Sequence, residues 1–129
     1  MSASRIRIRT RSGEWAAELD DSGISDEIWL SLPFTADINM LGSQIYFEMP
    51  ADSKVKGDSK IFEKGDIAYW PEAGALCLFF GPTPLSTDER PVTSFFMKKI
   101  GRICGDCSDM ESSGDRTRIT LVRDHSLPR

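Results

Sequence analysis

The chain has 129 residues, of which 40% are hydrophobic and 28% charged, and a net charge of −4. Those values suit one soluble globular domain with one core. No apolar run approaches a bilayer span, and the overall acidity argues against nucleic acid as a partner.

The first segment, Met1 to Trp15, carries basic residues but no apolar stretch, so it does not read as a secretory signal; the expected compartment is the cytoplasm. Arg5-Ile-Arg-Ile-Arg-Thr10 alternates strictly, the pattern of a half-buried strand with Ile6 and Ile8 inward. Ser12-Gly13 is a turn signal, and Glu14 to Leu19 alternates again, with Trp15, Ala17 and Leu19 on one face. A hairpin sets Glu14 and Glu18 against the arginines. A short helix follows. Ser25 is its expected N-cap, Asp26 and Glu27 fill the positive first turn, Ile24 and Trp29 form a staple, and Pro33 stops it.

Phe34 to Met49 reads as a second hairpin. Ala36, Ile38, Met40, Ile45, Phe47 and Met49 form its inner face, and Asp37, Asn39, Gln44, Tyr46 and Glu48 its outer face. Pro50 to Lys64, with four lysines, reads as a long polar loop. Asp66 to Trp70 and Ala75 to Phe80 are apolar on both faces, as strands covered on both sides are. Gly81 to Thr93 has three prolines and no periodicity, and its prolines read as rigid corners. Phe95 to Ile103 is a further strand, Gly105 to Asp115 an acidic loop, and Arg116 to Val122 the last strand, with the tail fraying from Arg123. About eight short strands with turn signals between them predict an antiparallel barrel or sandwich. A barrel pairs the first strand with the last and leaves no exposed edge.

Cys77 lies in an apolar run and reads as a small core residue. Cys104-Gly-Asp-Cys107 is a lone C-x-x-C without a second ligand pair, and the single histidine, His125, lies in the polar tail. A zinc site needs about four ligands, so no metal or other cofactor is expected, and two free thiols are the simplest reading. No P-loop, dinucleotide fingerprint or nucleophile motif is present.

Gly65-Asp-Ile-Ala-Tyr-Trp-Pro71 followed by Gly74-Ala-Leu-Cys-Leu-Phe-Phe-Gly-Pro-Thr-Pro84 resembles the prokaryotic cyclophilin-like family, with Ile45 to Pro50 and Ile100 to Ile103 compatible. The resemblance runs from about Arg5 to Val122. It implies a mainly β fold, a closed eight-stranded antiparallel barrel with one or two short helices, as one domain over residues 1–129. It also implies a groove beside the second hairpin. Cyclophilins proper isomerise prolyl peptides with an arginine that donates hydrogen bonds to the amide of the rotating bond, lowering a barrier of roughly 18–20 kcal/mol. The corresponding strand here, near Phe34 to Asn39, has Asp37 and Asn39 and no arginine; none occurs between Ser12 and Glu89. A carboxylate cannot replace a guanidinium as donor.

The resemblance makes Asp37, Asn39, Gln44, Tyr46 and Glu48 the candidate groove, with Tyr69, Trp70 and Phe80 as apolar walls. Three readings are open. The first is a binding module for a small molecule or extended peptide, the second an altered prolyl isomerase, and the third a small enzyme using Asp37 and Glu48 as an acid–base pair. The arginines of the two terminal strands form a second constellation, Arg5, Arg7, Arg9, Arg116 and Arg118, to be read either as an anion patch or as charge compensation by Glu14 and Glu18. A homodimer through an uncovered strand face is a further expectation.

Overall fold

The computed structural model describes residues 4–49 and 55–124. Pro50 to Lys54 of the lysine-rich loop, and the tail with His125, lie outside the described residues. The elements are β1 (Ser4–Thr10), β2 (Gly13–Leu19), α1 (Gly23–Leu30), β3 (Phe34–Asp37), β4 (Asn39–Leu41), β5 (Gln44–Glu48), β6 (Ser59–Ile61), β7 (Asp66–Trp70), β8 (Ala75–Phe79), β9 (Val92–Ile103), a 3-10 helix (Ser108–Ser113) and β10 (Arg118–Arg123).

All pairings are antiparallel, in the order β3-β10-β1-β2-β9-β7-β8-β5-β4, with β6 added to β9. The first and last strands pair as expected. The expected closed eight-stranded barrel is corrected to ten strands whose hydrogen-bond ladder is open between β3 and β4. Two local features account for the difference. The run from Phe34 to Leu41 changes partner at Ile38, so its first half lies on β10 and its second on β5. Ile38 is fully buried, donates to the Thr117 carbonyl at 2.7 Å and accepts from Arg116 N–H at 2.8 Å, which takes it out of both ladders. The second hairpin is therefore β4–β5 alone. The polar loop after it holds β6, which no apolar alternation announces.

The β1–β2 register opposes Arg5 to Glu18 and Arg9 to Glu14. Arg5 pairs with Glu18 at 2.6 Å, and Glu14 takes Arg7 at 3.3 Å and Arg9 at 3.2 Å. Arg7 also reaches Asp124 at 3.5 Å. The pairs to Glu14 and Glu18 are partly exposed and each contributes at most about 1 kcal/mol, whereas the Asp124 carboxylate is buried. Charge compensation is thus the geometry of the basic strand, while Arg116 leans on its neighbour Asp115 at 3.8 Å. The tail does not fray at Arg123. Its guanidinium donates to the Trp29 carbonyl at 3.1 and 2.8 Å and lies 5.2 Å from the Trp29 ring, tying α1 to β10.

The N-cap of α1 is Ser22, not Ser25. Ser25 is buried inside the first turn, where its hydroxyl and that of Ser22 both donate to Asp20 Oδ1 at 2.6 Å, and Ser22 N–H adds a bond at 3.1 Å. Burial works to raise the Asp20 pKa, but the bonds from Ser22 and Ser25 together outweigh it and hold the carboxyl below its ordinary value. A depressed carboxylate contributes stability that is full above the unfolded value, ~3.9, and is lost as pH falls through the folded one. Asp20→Asn is therefore expected to flatten the acid limb of stability below pH ~4 relative to wild type. Urea melts at several pH values check this, and parallel curves for the two proteins would refute it.

β7 and β8 are buried on both faces, and strand alternation divides their side chains between two apolar layers. Ile67, Tyr69, Leu76, Leu78 and Phe80 join Ile6, Ile8, Ile45, Phe47 and Ile119 in the main core. Ala68, Cys77 and Phe79 point the other way, with Phe62 and Met97, into a second layer edged by Tyr46 and Trp70. No helix among the described residues is long and apolar enough to cross a membrane.

Candidate functional site

The second layer carries a groove. The turn between β4 and β5 has Gly42 at φ +59, and a Cβ there would lie 2.8 Å from Pro84 Cδ. Ser43 N–H donates to the Pro82 carbonyl at 3.1 Å, and Phe80 N–H to the Ser43 carbonyl at 2.9 Å. The Pro-rich corner is thus docked on the hairpin tip. The corner is also held from within. Ser86 Oγ accepts from Thr83 N–H at 2.9 Å and donates to the Arg90 carbonyl at 2.6 Å, while the Thr83 hydroxyl bridges to the carbonyl of Val92 and accepts its N–H at 3.3 Å. The absence of periodicity in Gly81 to Thr93 marks a loop folded on its own hydroxyls and prolines, not a loose one.

Between this corner, the β4–β5 hairpin and the start of β9 lies a groove of about 310 Å³. Trp70 stacks on Phe95 at 4.9 Å and 28°, and Tyr46 meets Trp70 edge-on at 6.0 Å. Leu41 and Leu85 stand on its rims, about half exposed. Of the six exposed large hydrophobic side chains among the described residues, three, Leu41, Leu85 and Phe95, line this one groove, which marks it out from scattered surface apolar residues. Among the described residues no charged side chain lines it. Its polar side chains are the Thr83 and Thr93 hydroxyls, both bonded to backbone carbonyls, the Ser94 and Tyr46 hydroxyls, the Gln44 amide and the Trp70 indole. Gln44, only 4% exposed, spends its Nε2 on the weak acceptor Cys77 Sγ at 3.5 Å. The buried Trp70 Nε1 has no hydrogen-bond partner among the described residues. An unpaired buried N–H costs about 1–3 kcal/mol.

The sequence-predicted residues separate. Gln44, Tyr46 and Trp70 meet in the groove. Asp37, Asn39 and Glu48 line a different, wider hollow of about 480 Å³ with Phe34, Ala36 and Met49. All three are exposed there, and Asn39 Nδ2 donates to the Tyr46 carbonyl at 3.4 Å. Tyr69 points into the main core, 2% exposed. Phe80 also packs in the main core and edges a charged hollow with Glu63, Lys64 and Arg90. The reason is the two-residue period: Tyr69 follows one position out of phase with Trp70, and Phe80 is in phase with the core residues Leu76 and Leu78. Sequence reasoning missed Leu41, Leu85 and Phe95. Their signal was three large apolar residues on an otherwise polar turn, a proline corner and a strand end.

Two of the three thiols are buried. Burial pushes the Cys77 thiol up to about 12, only partly offset by Gln44. Burial likewise raises Cys107, the direction opposite to that of an activated nucleophile. All three cysteines are free, and no group of three or more His, Cys, Asp or Glu among the described residues is placed to hold a metal ion.

No curated protein matches the chain. Among solved structures it is similar to the solution structure of the hypothetical protein AF2241 from Archaeoglobus fulgidus, with 31% identity, 95% of each chain covered and a TM-score of 0.80. Residues 4–122 match the sequence profile described as Cyclophilin-like. That span runs from the first residue of β1 to within one residue of the end of β10, taking in every strand that builds the groove, and the chain belongs to the cyclophilin-like family.

Proposed function

We propose that the chain is a binding module that seats an uncharged, apolar group, from an extended peptide or a small molecule, in the groove beside the β4–β5 hairpin. The observation that carries this reading is a groove walled by the stacked Trp70 and Phe95 rings, with no charged side chain among its described lining residues. Apolar walls with a few convergent polar groups are the usual profile of a ligand site, and about 310 Å³ suits one large side chain and its flanking amides. The seat consists of Gln44, Tyr46, Trp70, Leu85 and Phe95, with Asp37, Asn39 and Glu48 outside it. Among the described residues no guanidinium lines it to assist rotation about a prolyl bond, and Asp37 and Glu48 stand on an exposed face, so the binding reading is favoured over the isomerase and the carboxylate pair.

Titration with acetylated, amidated tetrapeptides bearing a central Phe or Pro tests the module. Saturating peptide is expected to raise the melting temperature. Trp70→Ala is expected to weaken binding by about tenfold or more, as loss of a buried aromatic anchor does, with Asp37→Asn and Glu48→Gln unchanged. Binding that survives Trp70→Ala but is lost with Asp37→Asn would move the seat to the other hollow.

A further inference from the structure

The groove does not end at Phe95. Ser94 and Phe95 also line the next hollow, of about 380 Å³, together with Val55, Lys56, Lys60 and Glu72. The two spaces share a wall and differ in charge: none in the groove, two lysines against one glutamate beyond it. Lys60 Nζ lies 4.6 Å from the centre of the exposed Phe96 ring, so its charge sits over the apolar rim. Among the described residues neither Lys56 nor Lys60 takes part in an ion pair, whereas Lys98 nearby is held by Asp58 at 3.7 Å.

Lys56 is not on a loose strap. A Cβ at Gly57 would lie 2.3 Å from the Phe96 carbonyl carbon, so the backbone there is laid directly on β9, and Asp58 N–H donates to the Met97 carbonyl at 3.0 Å. A cation placed beside a neutral apolar slot selects a ligand with the complementary pattern.

Resting on the binding reading above, we propose that the occupant is an extended peptide whose apolar residue fills the groove and whose neighbouring acidic residue meets Lys56 and Lys60. Adjacent subsites on either side of Phe95 match alternate side chains, two positions apart, on one face of an extended strand.

The test uses acetylated, amidated hexapeptides with one Phe and an Asp-Asp pair on either side of it, against their Asn-Asn counterparts, by calorimetry with the full chain at low and high salt. The Asp-Asp peptide in one orientation is expected to bind about five-fold tighter at low salt, as two partly exposed ion pairs give, and to lose that advantage in high salt. The double variant Lys56→Gln, Lys60→Gln is expected to equalise the pair while still binding the Asn-Asn peptide. Equal binding of both peptides to the wild type overturns the acidic selection and leaves the groove reading standing. Binding of neither overturns both. Phenylacetate that binds as tightly as the Asp-Asp peptide and competes with it points to a small carboxylate instead and overturns the peptide. So does a concentration-dependent dimer that Phe95→Ser dissociates and the peptides do not.

Discussion

Gly101→Ala is expected to destabilise the protein by about 3 kcal/mol or more, measured as a lower urea midpoint. A Cβ at Gly101 would lie 2.2 Å from the Glu18 carbonyl oxygen and 3.1 Å from Leu19 Cα. Both are backbone atoms, so no side-chain rotation relieves the contact. The strands cannot back away cheaply either. Leu19 is fully buried opposite Gly101, the Ile100 carbonyl accepts Asp20 N–H at 2.7 Å, and Cys104 N–H donates to the Ala16 carbonyl at 2.9 Å. Ile100 is also the extra residue of a bulge, since Ile67 faces Gly101 and Ala68 faces Lys99. One methyl group therefore strikes the point where β9 passes from β7 to β2 and joins the two halves of the sheet. Gly23→Ala is the control. Nothing lies within 4 Å of a Cβ there, and the residue opens α1, so it is expected to be neutral or stabilising by up to about 1 kcal/mol. Equal midpoints for Gly101→Ala and wild type would refute the close-approach argument.

The sequence carried most of the strands because their faces differ in polarity. Ile6 and Ile8 against Arg5, Arg7 and Arg9 leave one register in which both the core and the ion pairs form, and that register is the one found. Doubly apolar β7 and β8 were equally plain. What was hard to read came from features with no period. The partner change at Ile38 depends on hydrogen bonds from residues 116 and 117, far along the chain. The loop from Gly81 to Thr93 is set by single hydroxyls, yet it is what buries Gln44 and turns an outer strand face into a groove. The bulge at Ile100 shifts the phase of β9, so alternation counted back from Ile103 misplaces Phe95 and Phe96. Tyr69 and Phe80, expected beside Trp70 from the resemblance, face the main core because the two-residue period turns Tyr69 away from Trp70 and aligns Phe80 with Leu76 and Leu78.

Phe79→Ala is the second large effect expected, and it falls on stability and on the groove together. The ring is fully buried at the end of β8 and stacks on Phe62 at 4.9 Å and 11°. Truncating such a residue costs about 3–5 kcal/mol, a large part of a total stability of about 5–15 kcal/mol. The cavity opens in the second layer only, because Leu76 and Leu78 face the main core. Tyr46 and Trp70 rest on that layer, so the fraction that remains folded is expected to bind the neutral tetrapeptides more weakly than wild type does. Phe47→Ala provides the contrast. Phe47 is fully buried in the main core, 6.4 Å from Phe34, and its loss is expected to lower the urea midpoint comparably while folded protein at low temperature keeps its affinity. If both variants lose stability but only Phe79→Ala loses affinity, the second layer acts as the foundation of the groove as well as a part of the core. If both retain affinity, Trp70 and Phe95 hold the groove by their own stacking and need no support from beneath.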